Sequence, residues 1–133
     1  GQIIPRGGGE TVLVVEDDPQ LRTVLHRLLE RHGYVSLQAA TPSAAIELCT
    51  AYAGPIDLVI SDVVMPERYG PDLAKDVAKL RPSVAFLFIS GYTDARLRQL
   101  MRSEYTEDIL EKPFSSATLA QKVREALGDR QQN

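Results

Sequence analysis

Four short polar clusters stand where apolar runs of this sequence end: Glu16-Asp17-Asp18, Ser61-Asp62, Ser90-Gly91 and Glu111-Lys112-Pro113. Together they offer several carboxylates, hydroxyls and one amine. Gathered carboxylates repel one another unless a cation joins them. Hard oxygen donors suit Mg2+, which accepts a few carboxylates, keeps water and shares a phosphate oxygen. Asp18 precedes Pro19 and is best used as a helix N-cap, which leaves Glu16 and Asp17 for a metal. Asp62 is the lone carboxylate of its cluster and suits a nucleophile toward phosphorus. Phosphoryl transfer asks a protein mainly for positioning and for neutralisation of the equatorial oxygens. Mg2+, Lys112 and the Ser90 hydroxyl would supply it.

These clusters cooperate only if the chain brings them to one place. Thr11 to Val15 is short, apolar and bounded by charge, as a buried strand is. The helix after Asp18-Pro19 sets Leu21, Val24, Leu25, Leu28 and Leu29 in one apolar stripe and stops at His32-Gly33. The alternation then recurs. Strands are expected at Tyr34 to Ala40, Ile56 to Ser61, Val84 to Ser90 and Glu107 to Leu110. Helices are expected from Thr41-Pro42 to about Ala53, from Gly70-Pro71 to about Leu80, from Thr93 through Leu97, Leu100 and Met101, and from Ser115 or Ser116 through Leu119, Val123, Ala126 and Leu127. This (βα)5 pattern predicts an α/β fold with a parallel five-stranded sheet and helices on both faces. Runs 1, 3 and 4 are nearly all apolar, as interior strands are. Run 2 alternates and run 5 is short and charged, so both belong at the edges. The doubly wound, flavodoxin-like order 2-1-3-4-5 fits. It places a ligand site at the carboxyl ends of strands 1 and 3, where the polar clusters lie.

The chain has 133 residues, 44% of them apolar, with a formal charge of −3 and a single cysteine. One domain of this size builds its core without disulfides. Residues 1–10, with the Gly7 to Gly9 triplet, read as a linker, 11–128 as the folded domain and 129–133 as a polar tail. The acidic balance argues against direct nucleic-acid binding. No apolar run reaches about 18 residues, so no membrane insertion is expected. The lone Cys49 and the absence of a signal-peptide pattern point to a cytoplasmic setting.

The clusters, in order and at matching strand ends, resemble the receiver domain of two-component response regulators. The resemblance runs from Thr11 to about Leu127 and rests on VLVVEDDPQLR (Val12 to Arg22), DLVISDVVMPERYG (Asp57 to Gly70), FISGY (Phe88 to Tyr92) and LEKPF (Leu110 to Phe114). It implies that Asp62 is the phosphoacceptor, that Asp17 binds Mg2+ directly, and that Glu16 binds it directly or through water. The main-chain carbonyl of Val64 would complete the metal's protein ligands, and Ser90 and Lys112 would contact the phosphoryl group. The Lys112-Pro113 peptide would be cis. The phosphodonor would be a histidine kinase or a histidine phosphotransfer domain. Such a domain catalyses only its own phosphorylation and dephosphorylation. The Gly-rich lead-in PRGGGE and the SGYT segment look like receivers fused behind the kinase of hybrid sensor kinases, so a tether through a membrane-bound parent is expected. No DNA-binding or output module is expected within the residues after 128. A stand-alone receiver and an unphosphorylated interaction module are the alternatives, and a homodimer is admitted. A flavin carrier would need a Gly- and hydroxyl-rich loop after strand 1, and a haloacid-dehalogenase-type phosphatase an Asp-x-Asp there.

Many receivers carry Tyr or Phe three residues before the lysine; here Ile109 stands there. The side chains of Val64 and Tyr92 would border the path of a hydrolytic water and slow its attack. His26 and His32 read as structural, His32 as a cation suited to a helix C-terminus, and Cys49 as a small buried apolar residue. Gly7 to Gly9 lacks the Gly-Lys-Ser/Thr ending of a P-loop. Arg96, Arg98 and Arg102 read as a solvated face or a partner surface.

Overall fold

A helix between successive strands forces parallel pairing, because the chain must return to the same end of the sheet before each new strand. The computed structural model, which describes residues 4–91 and 109–128, has that form. Strands β1 (Thr11–Val15), β2 (Val35–Ala39), β3 (Leu58–Asp62), β4 (Ala85–Gly91) and β5 (Ile109–Lys112) pair in parallel in the order β2-β1-β3-β4-β5. The helices are α1 (Pro19–Arg31), α2 (Pro42–Ala51), α3 (Gly70–Leu80) and α4 (Ser116–Leu127). The helix expected from Thr93, with its arginines, lies outside the described residues.

Side chains alternate across the sheet, so each strand feeds two cores. Val12, Val14, Leu58, Ile60, Leu87 and Ile89 face α1 and α4, where they meet Leu25, Leu29, Leu119, Val123 and Leu127. Leu13, Val15 and Val59 face α2 and α3, where they meet Ala45, Cys49, Leu73 and Val77. The expected N-caps are in place: Asp18 accepts from Gln20 N, Thr41 from Ala44 N and Ser115 from Thr118 N.

Several expectations are corrected. Val24 is 49% exposed, so the buried stripe of α1 is narrower than the heptad spacing suggests and rests on Leu25 and Leu29. Strands β3 and β4 begin and end one or two residues later than their apolar runs, because pairing with a neighbour, not composition, sets their limits. α2 ends at Ala51, where Arg81 of the α3 C-cap closes it by donating to the carbonyls of Cys49, Tyr52 and Gly54 at 2.9, 2.6 and 2.7 Å. His32 is buried, and burial together with the charges of Arg6 and Arg31 holds its imidazole below the usual range. It is a neutral C-cap of α1 rather than a cation complementing the dipole.

Residues Gly7 to Glu10 are fixed to the fold by hydrogen bonds. Gly7 N donates to His32 O at 2.6 Å, Gly9 N to Gly33 O at 3.0 Å, and Val35 N to Glu10 O at 2.9 Å. The Glu10 carboxylate meets the Arg124 guanidinium of α4 at 2.9 Å. Gly33 has φ +95°, and a Cβ there would stand 2.8 Å from the Gly7 carbonyl oxygen, so glycine is required twice over.

Candidate functional site

Register carries the polar clusters to one rim. Asp62, the last residue of β3, lies beside Ile89, and the neighbouring pairs Ser90–Glu111 and Gly91–Lys112 end β4 and β5. β1 stops at Val15 opposite Ser61, so Glu16 and Asp17 turn over the same end. These residues line a cavity of about 390 Å³ that includes Glu16, Asp17, Asp62, Val64, Ser90 and Lys112. It sits where the strand order reverses between β1 and β3, as expected for a doubly wound sheet.

One oxygen from each of Glu16, Asp17 and Asp62 falls within a 4.8 Å cluster. Glu16 and Asp62 are buried and Asp17 is exposed. The Lys112 ammonium stands 3.6 Å from Asp62 Oδ1. The Ser90 hydroxyl, also buried, donates to its neighbour's carbonyl, Gly91 O, at 3.2 Å. The Lys112-Pro113 peptide is cis.

Burial above all pushes the Glu16 carboxyl up to about 8. Its hydrogen bond and proximity to Asp62 add to the rise, and the Asp18 N–H, which donates to Glu16 Oε2 at 3.0 Å, opposes it. The Asp62 carboxyl is also raised, again by burial first, while the Glu16 hydrogen bond and the Lys112 charge pull it down. Both shifts have one cause: two carboxyls buried side by side disfavour charge, and the Lys112 ammonium offsets part of that at Asp62. The remaining Glu16 oxygen, Oε1, is buried with no hydrogen-bond partner. A buried carboxylate oxygen without a donor, inside a cluster of three hard oxygen ligands, fits Mg2+.

The loop from Asp62 to α3 forms the opposite wall. Gly70 N donates to Val63 O at 2.6 Å, and Val64 bridges to Tyr69. A Cβ on Gly70 would collide with the Asp62 carbonyl, so this glycine lets α3 start directly beneath the candidate nucleophile. The Val64 side chain is 60% exposed at the cavity edge. Tyr92 lies outside the described residues. Ile109 is buried against Phe88, Val63 and Ala74. Sequence reasoning missed Arg22, whose Nη1 donates to the Glu16 carbonyl at 2.8 Å. It lies within a motif noticed only for its acids.

Comparison with known proteins follows the same pattern. The response regulator receiver domain family matches residues 12–124. The sensor kinase CckA of Brucella abortus is 38% identical over 120 residues, which cover 90% of this chain and 13% of that protein. The response regulator receiver protein CpdR of the same organism is 28% identical over 116 residues, covering 87% of this chain and 95% of that one. The chain spans 25% or less of the length of several other curated relatives. A crystal structure of the receiver domain from the hybrid histidine kinase CckA superposes with a TM-score of 0.72 at 35% identity, covering 89% of this chain and 99% of that chain.

Proposed function

This chain belongs to the response regulator receiver family of two-component signalling, and on that premise we propose that it takes a phosphoryl group from a phosphohistidine onto Asp62. The observation that carries the reading is the buried Asp62 carboxylate facing Lys112 inside a three-carboxylate cluster. Glu16, Asp17, Asp62 and the main-chain carbonyl of Val64 would hold Mg2+. Bound there, the ion supplies neutralisation of the transferring oxygens. An Asp62 carboxylate oxygen attacks phosphorus as the bond to the histidine nitrogen breaks. Lys112 pairs with the incoming phosphoryl charge, and the Ser90 hydroxyl turns from its Gly91 contact to donate to a phosphoryl oxygen.

The donor is a histidine kinase or a histidine phosphotransfer domain. The likeness to CckA supports a place within a hybrid sensor kinase, with the receiver unit at 11–128, a lead-in at 1–10 and a tail at 129–133. The match along nearly all of CpdR supports the stand-alone alternative. Cytoplasmic residence belongs to this reading; among the described residues no helix is long and apolar enough to cross a membrane. A kinase labelled on its histidine, mixed with this chain and Mg2+, tests the reading. Label should pass to the chain in an acyl phosphate, and a chain that stays unlabelled while the kinase keeps its label would overturn it.

Val64 and Tyr92 are further proposed to slow hydrolysis of the phosphorylated state. Valine has neither donor nor acceptor with which to orient a water in line with the phosphoryl bond. Val64→Asn supplies both, and a tenfold faster decay corresponds to about 1.4 kcal/mol of transition-state stabilisation. Release of inorganic phosphate from the phosphorylated chain in Mg2+ buffer measures it. Equal or slower decay in Val64→Asn would remove Val64 from this role.

A further inference from the structure

The ligand oxygens of the cavity come from two loops, and each loop is held by an arginine outside the cavity. On the loop after β1, Glu16 N donates to Ala39 O at 3.1 Å and Gln20 N to Asp18 Oδ1 at 2.9 Å. Arg22, one turn into α1, reaches back so that its Nη1 donates to the Glu16 carbonyl at 2.8 Å. On the loop after β3, Arg68 is bound to α3: Nη1 meets Asp76 Oδ2 at 2.6 Å and Nη2 donates to Asp72 O at 3.1 Å. Beside it Glu67 Oε1 accepts from the Ser43 hydroxyl at 2.9 Å, at the start of α2.

We propose that Arg22 and Arg68 are positioning residues for the divalent cation, fixing the spacing between the loop that carries Glu16 and Asp17 and the loop that carries Val64. The proposal rests on the cavity being the Mg2+ site described above. Mg2+ demands near-ideal octahedral geometry, and the acids crowded at the ends of β1 and β3 disfavour one another's charge when no cation is present. Loops held at the right spacing beforehand do not have to be ordered at the moment of binding, so affinity rises. A charge account makes the opposite forecast. Each guanidinium is positive, so deleting it would strengthen cation binding by relieving repulsion. The sign of the change therefore separates positioning from mere charge.

The test is the Mg2+ dissociation constant of the whole chain, read by titration calorimetry and by the Mg2+ dependence of the thermal midpoint. Arg22→Ala and Arg68→Ala should each bind Mg2+ about threefold to tenfold more weakly, the range expected for losing one or two net hydrogen bonds. Arg22→Lys, which keeps a donor and the charge, should recover part of the loss. Arg27→Ala, on the exposed side of α1, should leave the constant unchanged. The two arginines serve one cation site, so the double variant should bind Mg2+ more weakly than either single variant. If an alanine variant does not fold, Asp76→Ala removes the side-chain half of the Arg68 anchor while leaving the loop sequence intact, and Arg22→Lys probes the other side. Unchanged or tighter binding across the folded variants, with wild type responding to Mg2+, overturns the positioning proposal and leaves the metal site standing. A wild-type chain indifferent to millimolar Mg2+ overturns both.

Discussion

Incubated with Mg2+ and a small phosphodonor, this chain gains one phosphoryl group, and Asp62→Asn gains none. The expectation is all or nothing because no other carboxylate in the cavity combines the required properties. Glu16 is buried, but its Oε2 accepts from the Asp18 N–H and the Lys112 ammonium faces Asp62 rather than Glu16, so with Mg2+ bound it would serve as a ligand. Asp17 is exposed, and the Lys112 ammonium faces Asp62 rather than Asp17. Asp62 alone joins burial and a cation 3.6 Å from its carboxylate. Asparagine preserves its shape while removing the nucleophilic oxygen, so the loss reports chemistry and not collapse. It also removes a buried carboxyl that crowds Glu16 and Asp17, so the metal-free variant should be at least as stable as wild type. Intact mass read with and without excess chelator measures the adduct. A phosphoryl adduct that survives in Asp62→Asn, or that forms equally well in chelator, would take the acceptor role away from Asp62 or the metal away from the reaction.

The parts of this site that the sequence makes legible are those whose chemistry is local. Asp18-Pro19, Thr41-Pro42 and Ser115 announce helix starts because a cap needs only its own side chain and the next few amides, and all three caps are in place. The strand order is legible because edge and interior strands differ in composition. What long-range pairing decides is not legible. β3 runs on to Asp62 because Asp62 pairs with Ile89, which nothing in residues 56–62 reveals. His32 looks like a surface cation at a helix end until the fold lays Gly7 over its carbonyl and buries its ring. The carboxylates, Ser90 and Lys112 could be read as one site because they recur at strand ends, and the fold brings those ends together. Arg22 and Arg68 could not, because a long flexible side chain that serves a backbone carbonyl or a neighbouring helix leaves no spacing signature.

Mg2+ should stabilise the chain, and more strongly as pH rises toward 8. Without metal, burial pushes the Glu16 carboxyl up to about 8 in the folded state, against 4.5 for the free group. A carboxyl raised by folding binds its proton more tightly when folded. Its contribution to stability is therefore fully present below about pH 4.5 and is lost as pH climbs through about 8. The metal-free chain should accordingly weaken across that window as Glu16 is forced to ionise beside Asp17 and Asp62. Mg2+ binds the deprotonated cluster, so it must displace the Glu16 proton at low pH and competes with little at high pH. At a free concentration about 100 times Kd, a ligand that binds only the folded state adds roughly 2.7 kcal/mol. Near pH 6, two units below about 8, releasing the proton offsets most of that gain, and near pH 8.5 nearly all of it remains. Asp17→Asn removes one of the crowded charges and one metal ligand together. It should raise the metal-free midpoint and shrink the Mg2+ response, two opposite movements that a simple loss of packing would not produce. Thermal or urea midpoints at pH 6 and 8.5, with and without millimolar Mg2+, for wild type and Asp17→Asn, measure all four corners. A Mg2+ shift of equal size at both pH values would separate the metal from Glu16, and a lower metal-free midpoint in Asp17→Asn would show that these carboxylates do not strain one another.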